Sequence, residues 1–127
     1  MFRIDSSGNV LSGNFSAGIK NADLAQDVEV NPDCRYEFSF SARTNVREAT
    51  LTALVYFVLD NGEEIEATRI SIGAFNLPIA DGSFNYYRRI LPPTPFNAIA
   101  ARIIFRGTTP GIPIQYVFVD DVSLNGI

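Results

Sequence analysis

The chain has 127 residues, a net charge of −4, no histidine, no tryptophan and one cysteine. That length fits a single domain, 1–127, with one continuous core, and a 46% hydrophobic share excludes disorder. With Lys20 as the only lysine and no basic cluster, a nucleic-acid partner is excluded; with one cysteine and no histidine, so are an internal disulfide and a Cys/His zinc site.

The opening Met1-Phe2-Arg3-Ile4-Asp5 has neither the basic end nor the apolar stretch of a signal peptide. Either a leader was removed with the rest of a longer chain, or the protein is not exported by that route. No apolar run reaches the length of a membrane span, so no membrane insertion is expected. Val10 to Ile19 is expected to hold one strand, interrupted at Gly13. Leu24 to Val30 reads as a short strand, with Leu24, Gln26, Val28 and Val30 on one parity. The turn signal Asn31-Pro32-Asp33 follows, and Cys34 beside it reads as an incidental thiol with no histidine to activate it.

From Arg35 to Arg43, Tyr36, Phe38, Phe40 and Ala42 alternate with Arg35, Glu37, Ser39, Ser41 and Arg43, which predicts a half-buried strand. Thr50 to Leu59 is apolar on both parities, so its second face, Leu54, Tyr56 and Val58, is either covered or a binding surface. Asp60-Asn61-Gly62 predicts a hairpin turn. Glu64 to Ile72 changes phase between Ala67 and Ile70, the mark of a bulge or of two short strands. Gly73 to Ser83 is the longest predicted loop.

Phe84 to Leu91 and Gln115 to Leu124 complete the strand set around Ala98 to Arg106, where Ile99, Ala101, Ile103 and Phe105 share a parity. Pro92-Pro93 and Pro110-Gly111 break the runs. Short strands at regular spacing, with no helix between them, predict an all-β fold: a sandwich or barrel. In a sandwich the Tyr36/Phe38/Phe40 and Ile103/Phe105 rows face each other across the core.

Several passages resemble one family. Val28-Glu29-Val30-Asn31-Pro32-Asp33 followed by Tyr36 to Arg43, then Tyr86 to Ile90 with Pro93 and the Ala98–Phe105 strand, then Val119-Asp120-Asp121-Val122-Ser123-Leu124, together look like a carbohydrate-binding-module-like (galactose-binding-like) jelly roll. The resemblance covers residues 24 to 124 and implies a two-sheet antiparallel β-sandwich of jelly-roll type. The chain departs from the family's pattern in lacking an Asn-Pro-Phe-Glu-like opening, which often supplies part of a structural calcium site, and in having no tryptophan for sugar stacking.

The resemblance directs attention to three tyrosines, Tyr56, Tyr86 and Tyr87, as a stacking platform for a pyranose ring. Arg43, Arg102, Gln115 and Asn85 would fix sugar hydroxyls if they share a sheet face. The alternative is that the tyrosines are core or rim residues. Asp120 shares a parity with Tyr116, Phe118, Val122 and Leu124, so without a bulge its carboxylate points into an apolar layer and needs a cation or several donors. The resemblance implies Ca²⁺ held by Asp120 or Asp121 with backbone carbonyls; the alternative is a bulge that turns Asp120 outward, or an arginine that pairs with it.

No catalytic constellation is visible. Glu63, Glu64 and Glu66 adjoin a turn and read as solvated, Asp120 and Asp121 point to opposite faces of one strand, and no hydrolase elbow, phosphate loop or dinucleotide fingerprint occurs. The expected function is non-catalytic glycan binding at a cell, spore or polymer surface, with a carbohydrate as partner. Its rival is an assembly module of a surface layer, spore coat or phage particle, which would self-associate through the face around Leu54, Tyr56 and Val58.

Overall fold

A computed structural model describes residues 4–5, 10–11, 17–19, 22–79, 85–109 and 117–127. Its strands are β1 (Ile4–Asp5), β2 (Val10–Leu11), β3 (Ala17–Ile19), β4 (Ala22–Glu29), β5 (Tyr36–Thr44), β6 (Thr50–Leu59), β7 (Glu64–Ile72), β8 (Asn85–Ile90), β9 (Ala98–Thr108) and β10 (Val117–Gly126). They form two antiparallel sheets. One runs β1-β2-β10-β5-β8, with β3 also on β10, and the other runs β4-β9-β6-β7. The interleaving of β3-β10-β5-β8 with β4-β9-β6-β7 is jelly-roll connectivity, as the resemblance predicts, and it realises the sandwich rather than the barrel that the alternating pattern left open. No helix long and apolar enough to cross a membrane occurs among the described residues.

The alternating rows meet between the sheets. Phe38, Phe40, Ile103 and Phe105 are all 0% exposed. Phe105 meets Phe40 edge-on at 5.1 Å between ring centroids and lies 6.1 Å from Phe38. Burying one such side chain contributes about 1.5–3 kcal/mol. Tyr36 is buried as well, but its hydroxyl is satisfied, accepting the Asn31 N–H at 2.9 Å. The Asn31–Cys34 turn is pinned from the far side of the chain: the Thr94 hydroxyl donates to the Asn31 carbonyl at 2.7 Å and accepts the Cys34 N–H at 2.9 Å.

Bulges tune the pattern at three places. In β7 the extra residue is Ala67, since Val55 pairs with Thr68 and Tyr56 with Glu66, and this is the predicted change of phase. In β9 the extra residue is Ile99, because Val58 pairs with Ala100 and Leu59 with Ala98. Ile99 therefore leaves the inward row that alternation assigned to it and stands 52% exposed, while Ala98 takes the buried place. In β10, Asp120 pairs with Ser41 and Ser123 with Ser39, so two residues, Asp121 and Val122, oppose Phe40 alone. Gln26, predicted to share the parity of Val28, is exposed on the edge strand β4.

Candidate functional site

Strand order sets three transverse rows on the outer face of β4-β9-β6-β7. Asp27, Arg102, Tyr56 and Glu66 are successive register partners across the four strands. On one side lies the row Ala25, Ile104, Leu54 and Arg69; on the other lies Glu29, Ala100, Val58 and Glu64. The two central strands thus contribute Ile104, Leu54, Val58, Ala100 and the Tyr56 ring, an apolar strip. The charges are concentrated on the flanking strands, with Arg102 reaching across the centre. Leu54 is 2% exposed although it points away from the core, and Tyr56, Val58 and Ile104 are half-buried.

Arg102 ties the face together. Its Nε and Nη2 donate to the two carboxylate oxygens of Asp27 at 2.8 and 3.1 Å, a bidentate fork. Its Nη1 donates to Glu64 Oε1 at 2.9 Å, so one side chain on β9 links β4 to β7 across β6. The hydrogen bond and charge of Asp27 hold the guanidinium above the ordinary arginine range against the opposing effect of burial, with smaller contributions from the charge and hydrogen bond of Glu64. Three of the five guanidinium N–H groups are used by these acids, leaving two donors beside carboxylate oxygens that can still accept. Beyond the tyrosine, Arg69 Nη2 pairs with Glu66 at 3.0 Å. An aromatic ring in an apolar strip, bordered by paired donors and acceptors, suits a neutral ligand with many hydroxyls.

The structure brings Tyr56 and Arg102 together but places the other predicted residues elsewhere. Arg43 and Tyr86 lie on the outer face of the opposite sheet, as register partners of Phe118 and Ser41. The Arg43 guanidinium carbon sits 4.4 Å above the centre of the Phe118 ring. Tyr87 and Asn85 point to the inner side of β8, opposite Phe40 and Ala42. Tyr87 stacks on Phe40 at 5.2 Å and receives the Asn85 Nδ2–H at 3.3 Å, which makes it a rim residue of the core. The six described residues therefore do not share one platform, because two sheets packed face to face turn their outer surfaces away from each other. Gln115 lies outside the described residues.

Asp120 adopts the outward alternative. The β10 bulge lets Phe118 and Asp120 face out while Val119, Val122 and Leu124 stay buried. The bulge residue Asp121 has φ 51°, a conformation aspartate tolerates, and its N–H donates to Asp120 Oδ1 at 2.9 Å. Calcium takes six to eight oxygens. Among the described residues no third acidic side chain joins these two.

Sequence reasoning missed Asp27 and read Glu64 and Glu66 as merely solvated. No signal in the chain reveals that row, since Asp27 and Arg102 are 75 residues apart and meet only through the pairing of β4 with β9. It also passed over two exposed phenylalanines, Phe75 and Phe96, at the ends of the sandwich.

No protein-family model matches the chain, and no curated protein matches it. Solved structures share its fold at low identity. A structure titled "CBM4 structure and function" superposes with a TM-score of 0.60 at 15% identity, covering 83% of this chain and 61% of that one. The N-terminal cellulose-binding domain of Cellulomonas fimi β-1,4-glucanase C gives 0.61 at 14% identity, covering 97% and 82%. The fold also recurs in viral proteins: T=1 particles derived from infectious bursal virus give 0.65 at 13% identity over 91% of this chain and 30% of that one. The enzymatically active domain of bacteriophage CBA120 tailspike protein 4 gives 0.60 at 19%, over 93% and 18%. The chain thus spans about three-fifths of the first of these and a smaller part of the two viral chains.

Proposed function

We propose that this chain is a non-catalytic glycan-binding module, surface-associated, whose sugar face is the outer side of β4-β9-β6-β7. The observation that carries this reading is the row Asp27, Arg102, Tyr56 and Glu66, with the apolar strip of Leu54, Val58, Ile104 and Ala100 on either side of it. Tyr56 offers a ring face to the C–H face of a pyranose, and the remaining Arg102 donors and acid oxygens match hydroxyls in both senses. The fold shared with a cellulose-binding domain and a CBM4 structure supports this class of ligand, although fold alone does not fix a function.

A glycan array followed by calorimetric titration of the best polysaccharide tests it. The expected result is binding to at least one glycan by the unmodified chain and about tenfold or greater loss with Tyr56→Ala. Binding to no glycan, or undiminished binding by that variant, overturns the assignment of this face. An assembly role has its own supporting observation, the exposed aromatics at the two ends of the sandwich, which lie apart from this face.

A further inference from the structure

The two ends of the sandwich carry patches that complement each other. Strand β6 has 10 residues, Thr50 to Leu59, so its ends are about 33 Å apart. Just past its C-terminal end lies an open cleft of about 550 Å³, lined by Glu29, Val30, Pro32, Asp60, Phe96 and Ile99 among others. Phe96 is 80% exposed and the bulge residue Ile99 is 52% exposed. The wall is fixed by backbone and side chain alike: Asp60 N–H donates to the Asn97 carbonyl at 2.9 Å, and Asn97 Nδ2 donates to Asp60 Oδ1 at 3.3 Å. Among the described residues that line it, Glu29 and Asp60 are the charged ones, and both are acidic.

Just before the other end of β6, Phe75 stands 69% exposed beside Ile79, at 44%, and above the buried Leu77. Phe75 has φ 71°, a region that bulky residues rarely enter. Its N–H donates to the Arg47 carbonyl at 2.8 Å, and Thr44 N–H donates to the Pro78 carbonyl at 2.9 Å, so the loop is tied on both sides of the ring it presents. Arg47 is the charged residue among the described ones lining this patch. One end therefore offers an exposed ring with a cation beside a small hollow of about 270 Å³, and the other a larger, ligand-sized hollow with an aromatic wall and two acids.

We propose that copies of this chain associate end to end, with Phe75 of one copy seated in the Phe96–Ile99–Pro32 cleft of the next and Arg47 facing Glu29 and Asp60. Different patches meet in this contact, so it is heterologous and propagates into open chains or rings rather than closing as a two-fold dimer. Burial of the ring supplies most of the affinity. The exposed ion pairs add little energy and select the orientation. Neither patch includes Tyr56 or Arg102, so the proposal stands or falls separately from glycan binding.

Sedimentation of the full chain over a wide concentration range tests it. The unmodified chain is expected to pass from a 14.0 kDa monomer to species larger than a dimer as concentration rises. Phe75→Asn, which suits the left-handed backbone but removes the ring, and Asp60→Arg at the opposite end should each weaken association about tenfold or more. An equimolar mixture of the two variants should form a dimer that stops there, since the first keeps an intact cleft and the second an intact Phe75. Tyr56→Ala should leave association unchanged. A wild-type chain that stays monomeric at every concentration overturns the proposal, as does association that survives Phe75→Asn or a mixture no more associated than its components.

Discussion

The outer faces of the two sheets are built on the same alternation yet differ in chemistry. On β4-β9-β6-β7 the central strands carry Leu54, Tyr56, Val58 and Ile104, and the flanking strands supply acids that Arg102 draws together. On β10-β5-β8 the central strand carries the small residues Ser39 and Ser41, both largely buried, and a cation–ring contact, Arg43 on Phe118, lies within the sheet. The exposed tyrosine of that sheet, Tyr86, lies on the edge strand and is 59% exposed. A ring becomes a platform when its neighbours hold it half-buried and surround it with unsaturated donors and acceptors. Exposure by itself does not achieve that.

Substitutions on each face test this difference. Phe105→Ala should have the largest effect, about 3–5 kcal/mol of lost stability in urea denaturation, because it empties the core that holds both sheets. A loss below 1 kcal/mol would mean the sheets do not depend on this ring to stay packed. Tyr56→Ala and Tyr86→Ala form the direct test: the first should lower glycan affinity about tenfold, and the second should leave it unchanged. Equal losses in titration would erase the distinction between the faces.

Arg102→Lys keeps the charge but loses the bidentate fork. It should reduce glycan affinity severalfold while shifting stability by no more than about 1 kcal/mol, since the ion pairs are exposed. A binding isotherm identical to wild type would remove Arg102 from the site. The smallest effect belongs to Arg43→Ala, about 0.5–1 kcal/mol of stability from the lost contact with Phe118, with glycan titration unaltered.

Part of this was legible along the chain. The inward row of β5 was readable because Tyr36, Phe38, Phe40 and Ala42 alternate without interruption, and the β7 bulge because the apolar parity changes near Ala67. Ile99 was misplaced because a bulge that falls between two apolar residues leaves no mark in an alternating pattern. Asp120 left its direction open for a related reason: parity across Asp121 and Val122 depends on how many residues oppose Phe40 in the partner strand. The candidate platform was the least readable feature. Tyr56, Tyr86, Tyr87, Arg43 and Arg102 look equivalent in one dimension and are assigned to three surfaces in the fold.

Alternation is a local property, fixed by the two-residue period of an extended backbone, and so the amino-acid order alone determined that strands form, which side of most of them is apolar, and that two layers must meet over Phe38, Phe40, Ile103 and Phe105. Which strands lie side by side is a non-local outcome of packing those layers. Only the tertiary structure decided that Asp27, Arg102, Tyr56 and Glu66 stand in one row, and that Phe75 and Phe96 occupy opposite ends.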